Sequence, residues 1–269
     1  MGYLFDPQNW EWVTSGNNLR FLLEAFLINL EIAAISIVLS LIVGLLLALA
    51  RLSKPRVVKV AAGVWVDVWR NLPLIFIILY LFLAAPESWS RTWEDNAPSF
   101  LPEALQSGAV FAAVLGLVLY NSAVIAEIMR AGILSLDRGQ GEAAASLGLT
   151  YPQQLRYVIL PQGLRRMVPA TVSQLITLNK DTTLVSIIAI SEVMRAGRTL
   201  SSGFTAFVGG VEAPLLQVFI FIGALFVVVN YTLSRVSRRL EIRERKRTGG
   251  TAGPVTGLED QTALAAEAR

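Results

Sequence analysis

The chain of 269 residues is 54% hydrophobic and only 16% charged, with a net charge of +3 and neither cysteine nor histidine. With glycine counted in place of tyrosine it is about 59% apolar, against about 45–50% in soluble domains, which excludes disorder for most of the chain and argues against a soluble fold. The missing residue types exclude disulfides, thiolate and zinc-finger sites and a Ser-His-Asp triad, so a metal could bind only through carboxylates.

Five apolar stretches are long enough to cross a bilayer, which takes about 20 helical residues. They predict an all-α integral membrane protein with transmembrane helices at about residues 21–50, 60–85, 108–134, 167–190 and 214–233. The alternative is a soluble core of five buried helices, but the sequence offers few amphipathic helices to cover such a core.

Lysine and arginine predict the orientation, because they are enriched in cytoplasmic loops. The segment 51–59 between the first two spans is basic and contains no acidic residue, and most of the 23 basic residues fall on the same side. We therefore expect the tail 1–20 outside the cell and a disordered, Gly-, Thr- and Ala-rich tail 241–269 in the cytoplasm. The N-terminal tail is not a secretory signal, because acidic Asp6 and Glu11 precede any basic residue.

The acidic loop 86–106 between the second and third spans falls on the external side. Its tryptophans, among them Trp89 and Trp93, suit a helix lying at the membrane interface, where indole rings favour the headgroup level. A simple connector is the alternative, and the sequence leaves the role of this loop open.

The cytoplasmic loop 135–166 is longer than a connector between two spans needs to be. Its segment 142–147 favours helix, and Gly148 follows where a glycine in the left-handed conformation would end that helix. The segment therefore predicts a structured loop.

A second short helix is predicted at about 152–160 in the same loop. Thr150 and Gln153 have the spacing of a capping box, and Pro161 is expected to end the helix before the fourth span. Two short helices joined at a glycine form a rigid projection that suits docking into another protein.

Several residues of this loop occur at the spacing of a known motif: Glu142, Ala143, Ala144, Gly148, Leu160 and Pro161. They resemble the EAA loop of ABC-importer permeases. In that motif Glu-Ala-Ala is followed after three residues by Gly, after nine more residues by Ile, and after one further residue by Leu-Pro. Val158 stands in place of the isoleucine, a conservative change.

Other segments resemble the polar-amino-acid branch of that family, whose members are of the histidine, glutamine, glutamate and arginine type, and are most similar to glutamate-type permeases. They are residues 120–128, 130–132, 139–142 and 179–184. The segment 70–73 is similar to the Arg-Gly-Thr-Pro of the branch but departs from it at Asn71 and Leu72. The resemblance covers about residues 29–239.

The resemblance implies a multi-pass permease of the plasma or inner membrane, in contact with lipid, that pairs with itself or a sister permease. The EAA loop would dock onto a separate ATP-binding subunit, and an extracellular or periplasmic solute-binding protein would deliver the substrate. Glu142, Ala143 and Ala144 would transmit closure of the ATPase, and Gly148 would set the angle between the short helices. A loop that only caps the bundle is the alternative.

The sequence contains no phosphate-binding Gly-x-x-x-x-Gly-Lys-Ser/Thr motif. We therefore expect ATP to be hydrolysed by another chain and this chain to be a transport subunit rather than an enzyme. We also predict no cofactor, no metal site and no nucleic-acid partner.

A polar stripe follows the fourth predicted span. At 100° per residue its members fall within an arc of about 120°, which suggests a water-accessible path through the membrane. Pro169 and the run 180–183 are positions where the helix could break and free backbone groups for a ligand. The residues of the stripe are Ser173, Gln174, Thr177, Lys180 and Asp181.

Asn121 and Ser122 in the third span are further pathway candidates. For the stripe of the fourth span, the alternative is a polar dimer interface that never meets the substrate. Charges within a span are costly and are expected to be paired.

Two charged pairs within spans have the spacing of neighbours on a helix surface. Glu127 and Arg130 are three residues apart in the third span, and Asp67 and Arg70 are three apart in the second. We predict that both are structural ion pairs, with gating the second possibility for Asp67 and Arg70.

The competing functional classes are a stand-alone secondary carrier or channel and a membrane scaffold. A carrier would normally show internal repeats and two matched broken helices, whereas we find one polar, broken span and no repeat. A scaffold would have no need of the polar stripe.

The substrate is predicted to be a polar amino acid, with glutamate or another acidic amino acid favoured. Lys180 could meet a substrate carboxylate, yet Asp181 suits the α-ammonium group that every amino acid carries. The sequence leaves open which amino acid is carried, whether the permease is a homodimer or heterodimer, and whether specificity lies in this chain or the binding protein.

Overall fold

The computed structural model describes residues 6–14, 17–99, 101–188, 190–202 and 214–247, and within these ranges the chain is helical and has no strand. Short 3-10 helices occupy Pro7–Val13, Glu103–Gln106 and Thr182–Ile188, and a π-helical turn occupies Leu155–Ile159. The α-helices in chain order are α1 (Asn18–Leu52), α2 (Arg56–Asn71), α3 (Leu74–Ala84), α4 (Glu87–Asn96), α5 (Gly108–Leu134), α6 (Arg138–Ser146), α7 (Tyr151–Gln154), α8 (Leu160–Asp181), α9 (Val193–Ser201) and α10 (Leu215–Arg247).

Three of the described helices are long and apolar enough to cross a membrane by themselves: α1, α5 and the 215–239 part of α10. The pair α2 and α3 passes the same test together, so up to four spans are counted. α8 is not among them, because polar and charged residues are spread along its length. The number of five spans therefore remains a prediction.

The predicted second span, residues 60–85, is broken into two helices in the structure. α2 and α3 meet at an angle of 98° around Leu72 and Pro73. Proline lacks the N–H that an α-helix needs and disfavours helical backbone in the residue before it, and Leu72 is accordingly extended, with φ −83° and ψ 139°.

α5 lies at the centre of the bundle and packs against α1, α2, α3 and α8. Its approach to α1 is close at Gly44, where an added Cβ would lie 2.8 Å from Cγ2 of Ile125 and 3.0 Å from the carbonyl oxygen of Ser122. Small residues at helix contacts let membrane helices approach in this way, so Gly44 fixes the α1–α5 distance.

Apolar clusters lie at three levels along α1. Near its N-terminal end Trp12 and Phe26 pack with α9 and α10, so part of the predicted external tail belongs to the folded body. Its middle packs through Ile32 against α3, α5 and the 3-10 helix at 182–188, and its C-terminal end packs through Ala48 against α2 and α5.

The predicted end of a helix at Pro161 is also wrong. The chain passes from α7 through the π-helical turn into α8, and Pro161 lies in the first turn of α8. The N–H of Leu160 bonds to the carbonyl of Leu155, five residues back, and this wider turn accommodates a proline that has no N–H. Pro169, a predicted break, lies inside α8.

The loop 86–106 contains a helix, α4, that packs on the start of α5. The indole N–H of Trp93 donates to the carbonyl of Leu105 (3.2 Å), and the Glu94 carboxylate accepts from the N–H of Gly108 (2.7 Å) at the first turn of α5. A location at the membrane interface remains a prediction.

Residues 241–247 of the predicted disordered tail are helical, since α10 continues to Arg247. The remainder of that prediction, residues 248–269, lies outside the described residues.

Candidate translocation pathway and coupling loop

The coupling loop, residues 135–166, begins with a well-capped helix. The carboxylate of Asp137 accepts from the N–H of Gly139 (2.8 Å) at the start of α6. On this helix Glu142 and Ala143 are exposed, whereas Ala144 is buried. The Glu-Ala-Ala triplet therefore presents two residues outward and anchors the third.

Gly148 ends α6 in the left-handed conformation that the sequence predicts, with φ +78°. The N–H of Gly148 donates to the carbonyl of Ala145 (2.9 Å), and the N–H of Leu149 donates to the carbonyl of Ala144 (3.2 Å). These two hydrogen bonds form a Schellman motif. An added Cβ would meet no atom within 4 Å. Glycine is therefore required by the backbone conformation and not by crowding.

The second short helix starts with the predicted capping box, in which the N–H of Thr150 donates to the side chain of Gln153 (2.9 Å). Because α7 continues through the π-helical turn into α8, Leu160 and Pro161 lie at the start of a long helix. Gln162 on α8 also bonds to Gln140 on α6 (3.1 Å). The two halves of the loop are thus tied to each other.

The predicted pathway residues of α8 lie on two faces. We call the exposed residues Ser173, Thr177 and Lys180 the open face. Their hydroxyls donate to backbone carbonyls one turn earlier, Ser173 to Pro169 (3.1 Å) and Thr177 to Ser173 (3.2 Å). Asp181, the last residue of α8, is half-buried.

The sides of α8 that pack on neighbouring helices, here together called the packed face, contain Gln174 and Asn179. Gln174 donates to the side-chain oxygen of Asn121 (2.8 Å) on α5, and Asn179 donates to that of Asn230 (3.0 Å) on α10. Asn121 and Ser122 are buried, so the structure places them and Gln174 in a helix contact, apart from the open face.

The α-helical geometry ends at Asp181, within the predicted break at 180–183, and a buried polar cluster holds the chain just beyond it. The side-chain N–H₂ of Asn29 donates to Thr182 (3.2 Å) and to the Glu192 carboxylate (3.0 Å), while its oxygen accepts from the N–H of Val193 (3.0 Å). This cluster joins α1, the end of α8 and α9.

Sequence reasoning missed Asn29, Asn230 and Glu192. The available signal was a lone asparagine in each of two apolar spans, since a buried amide requires a partner. Glu192 follows the predicted fourth span and is the N-cap of α9, where it accepts from the N–H groups of Met194 (3.0 Å) and Arg195 (2.8 Å). Burial raises the pKa of the Glu192 carboxyl above its ordinary value, and these hydrogen bonds oppose the rise.

Both predicted ion pairs form, and a residue missed by the sequence reasoning joins them. Arg130 contacts Glu127 (2.9 Å) and Arg70 contacts Asp67 (3.1 Å). Arg51, in the last turn of α1, pairs with Glu127 and lies 3.8 Å from Asp67. The C-terminal end of α1 is thereby linked by charge to α2 and α5.

The described residues contain no group of three or more acidic side chains that could hold a metal ion.

Comparison with known proteins identifies the class to which this helical bundle belongs. Residues 37–246 match the family model described as "Binding-protein-dependent transport system inner membrane component", and the chain belongs to that family. It is therefore a multi-pass protein of the cell inner membrane.

Individual relatives narrow the class. The chain is 37% identical over 230 residues to the probable glutamine ABC transporter permease protein GlnP of Bacillus subtilis, covering 86% of this chain and 96% of the relative. It is 29% identical over 233 residues to the glutamate/aspartate import permease protein GltK of Escherichia coli, covering 87% and 97%. The solved structure of an amino acid ABC transporter with histidines matches with a TM-score of 0.66 at 26% identity, covering 85% of this chain and 94% of that one.

The chain is a permease subunit of an ABC importer and, like the permeases it resembles, is not itself an enzyme. Membership of this family implies an ATPase subunit and a binding protein as partners. The stand-alone carrier is not favoured by any of these relatives.

Proposed function

We propose that the chain transports a polar amino acid by alternating access, with the coupling loop docked onto the ATPase and the open face of α8 lining the path. In this arrangement α8 is a fifth span, the N-terminus is outside, and a second copy or a sister permease completes the pathway. The observation that carries the proposal is the doubly capped coupling loop, which presents Glu142 and Ala143 outward.

The coupling part of the proposal depends on rigidity. A push on α6 is transmitted only if the angle at Gly148 is fixed, and the Schellman hydrogen bonds and the capping box on either side of it limit that angle. α7 then leads into α8 without an intervening loop, so movement of the coupling loop reaches the open face directly.

Gly148→Ala and Glu142→Lys test the coupling. In the reconstituted transporter with its ATPase and binding protein, we expect both variants to fold but to transport less substrate for each ATP hydrolysed. Alanine at φ +78° costs about 1–2 kcal/mol in backbone energy, enough to displace the junction. Gly141→Ala is the matched control, because it adds a Cβ that also meets no atom within 4 Å but at a helical position. Normal stimulated ATPase and uptake in both variants would refute the docking role.

The substrate path is proposed to follow Ser173, Thr177 and Lys180, with Asp181 at the break of the helix. The ammonium of Lys180 suits a substrate carboxylate, and Asp181 suits the α-ammonium group. The hydroxyl groups of Ser173 and Thr177 already donate their protons to the helix backbone, so their oxygen atoms are available to the path only as hydrogen-bond acceptors. Uptake by Lys180→Met and Asp181→Asn tests this. Unchanged transport by both variants would refute the pathway role and favour the alternative, in which these residues lie in an interface between subunits.

Glutamate is proposed as the first substrate to test, since Lys180 favours an acidic side chain and one relative is named for glutamate and aspartate import. A second relative is named for glutamine, so glutamine is the natural competitor. Calorimetric binding of both, with aspartate and arginine, to the cognate binding protein decides between them. Tighter binding of glutamine than of glutamate would overturn the acidic preference.

A further inference from the structure

The C-terminal end of α1 is in direct contact with the coupling loop through one tyrosine. The Tyr151 hydroxyl donates a hydrogen bond to the backbone carbonyl of Leu52 (3.0 Å), and the ammonium of Lys54 lies 4.7 Å from the centre of the Tyr151 ring. Leu52 is the last residue of α1 and Tyr151 is the first of α7, so the contact joins two elements 99 residues apart in sequence.

This contact crosses an otherwise open region. A cavity of 460 Å³ lies between the coupling loop and the ends of α1 and α5, and Leu52, Ile133, Asp137, Tyr151 and Leu155 are among its lining residues. The loop is therefore not packed uniformly against the bundle, and its movement relative to α1 depends on the few groups that span the cavity.

The chemistry of the contact suits a firm attachment. The last four carbonyls of a helix have no partner within the helix, and the Tyr151 hydroxyl satisfies that of Leu52. The capping box at Thr150 fixes the start of α7 and with it the position of Tyr151. The cation over the aromatic ring adds a second attraction between the same two segments.

The α1 side of the contact is held as well. Arg51 directly precedes Leu52 and pairs with Glu127 on α5, and it lies 3.8 Å from Asp67 on α2. A force applied at Leu52 therefore acts on a helix end that is joined to two other helices.

We propose that Tyr151 is a positioning residue that attaches the coupling loop to the end of the first span. The loop then has two connections to the membrane domain: the continuous helix from α7 into α8, and the Tyr151–Leu52 bond to α1. Movement of the loop displaces α8 and α1 together, so the helix that lines the path and the helix that packs on α5 move as a unit. This inference rests on the proposed docking of the loop onto an ATPase.

Tyr151→Phe tests the inference, because it removes only the hydroxyl group that donates to Leu52 and keeps the aromatic ring beneath Lys54. The measurement uses the complete transporter with its ATPase and binding protein. We expect the transport ratio, which is the number of substrate molecules taken up per ATP hydrolysed, to fall roughly fivefold. A fivefold change corresponds to about 1 kcal/mol, the net contribution of one hydrogen bond. Lys54→Gln, which keeps the hydrogen bond, should lower the ratio less. The melting temperature of the assembled complex should fall by no more than about 4 °C, with the complex still assembled.

Tyr231→Phe is the matched control. Tyr231 is an exposed tyrosine of α10 with Arg235 over its ring (5.6 Å), so a tyrosine hydroxyl is again removed beside a cationic side chain, away from the coupling loop. We expect its transport ratio to equal that of the wild type.

The outcomes separate the two proposals. A wild-type ratio in Tyr151→Phe overturns the role of Tyr151 and leaves docking intact. Loss of assembled complex and of uptake in parallel would show that Tyr151 serves only stability, which also overturns the role. Absence of ATP-driven uptake by the wild type would overturn the proposed function and this inference with it.

Discussion

The two faces of α8 satisfy their polar side chains in different ways. On the packed face Gln174 and Asn179 bond to asparagines of α5 and α10, so each amide is used between helices. On the open face Ser173 and Thr177 donate to their own helix, so neither hydroxyl proton ties α8 to a neighbouring helix.

This difference separates assembly from transport within one helix. An amide buried between helices has no water to replace a lost partner, so changes on the packed face should act on stability. A hydroxyl on the open face keeps acceptor capacity for water or substrate, so changes there should act on uptake.

The largest effect is expected where the packed face continues past the end of α8. Asn29→Ala removes a donor to Thr182 and to the Glu192 carboxylate, and it leaves the N–H of Val193 buried without an acceptor. We expect a loss of about 2–3 kcal/mol in the free energy of unfolding, measured by chemical denaturation in detergent. Asn96→Ala, which removes an exposed bond to the carbonyl of Thr92, is the control and should cost far less. Equal effects of the two would refute the importance of burial.

A smaller loss of stability is expected at the contact between α8 and α5. Gln174→Ala leaves the side-chain oxygen of Asn121 without its donor, and interhelical hydrogen bonds in membranes contribute about 0.6–1.7 kcal/mol. Ser173→Ala on the neighbouring open face is the control, with an expected change within about 0.5 kcal/mol. If the two variants unfold at the same denaturant concentration, the distinction between the faces fails for stability.

The pH dependence of stability is expected to change when Glu192 is replaced. Because burial raises its pKa in the folded protein, the folded state holds a proton that the unfolded chain has already released. The free energy of unfolding should therefore fall as the pH rises from the ordinary glutamate value through the raised one, and then level off. Glu192→Gln should remove this component, as measured by melting temperature from acid to neutral pH. An unchanged pH profile would assign the dependence to another group.

The smallest effect on stability, with a clear effect on uptake, is expected on the open face. Thr177→Val replaces a hydroxyl by a methyl group of similar volume at an exposed position. We expect stability to change by less than about 0.5 kcal/mol, while the apparent KM for uptake rises. Uptake kinetics and melting temperature of the same preparation provide the measurement. A stability loss without a change in uptake would place this face in a subunit contact.

Local features of the fold were predictable from the sequence. The apolar run at 108–134 matches α5, and Ser107 caps its start through the N–H of Val110 (3.4 Å). The left-handed conformation of Gly148 and the capping box at Thr150 were also predictable, because each depends only on residues within a few positions of one another.

The errors occurred where a proline was interpreted without its surroundings. Pro73 turns the chain by 98°, whereas Pro161 and Pro169 are accommodated within helices. The same residue type thus had opposite consequences, because a wider helical turn ahead of Pro161 removes the need for its missing N–H.

Membership of the ABC-importer permeases could be recognised from the order of residues alone, because apolar runs and the spaced EAA motif are properties of the linear chain. The partners of the polar residues became clear only from the packing of the helices. Asn29 and Glu192 are separated by 163 positions and Arg51 and Glu127 by 76, so their pairing depends on how the helices pack. A polar side chain in an apolar helix indicates that a partner is needed, but the packing of the bundle determines which residue supplies it.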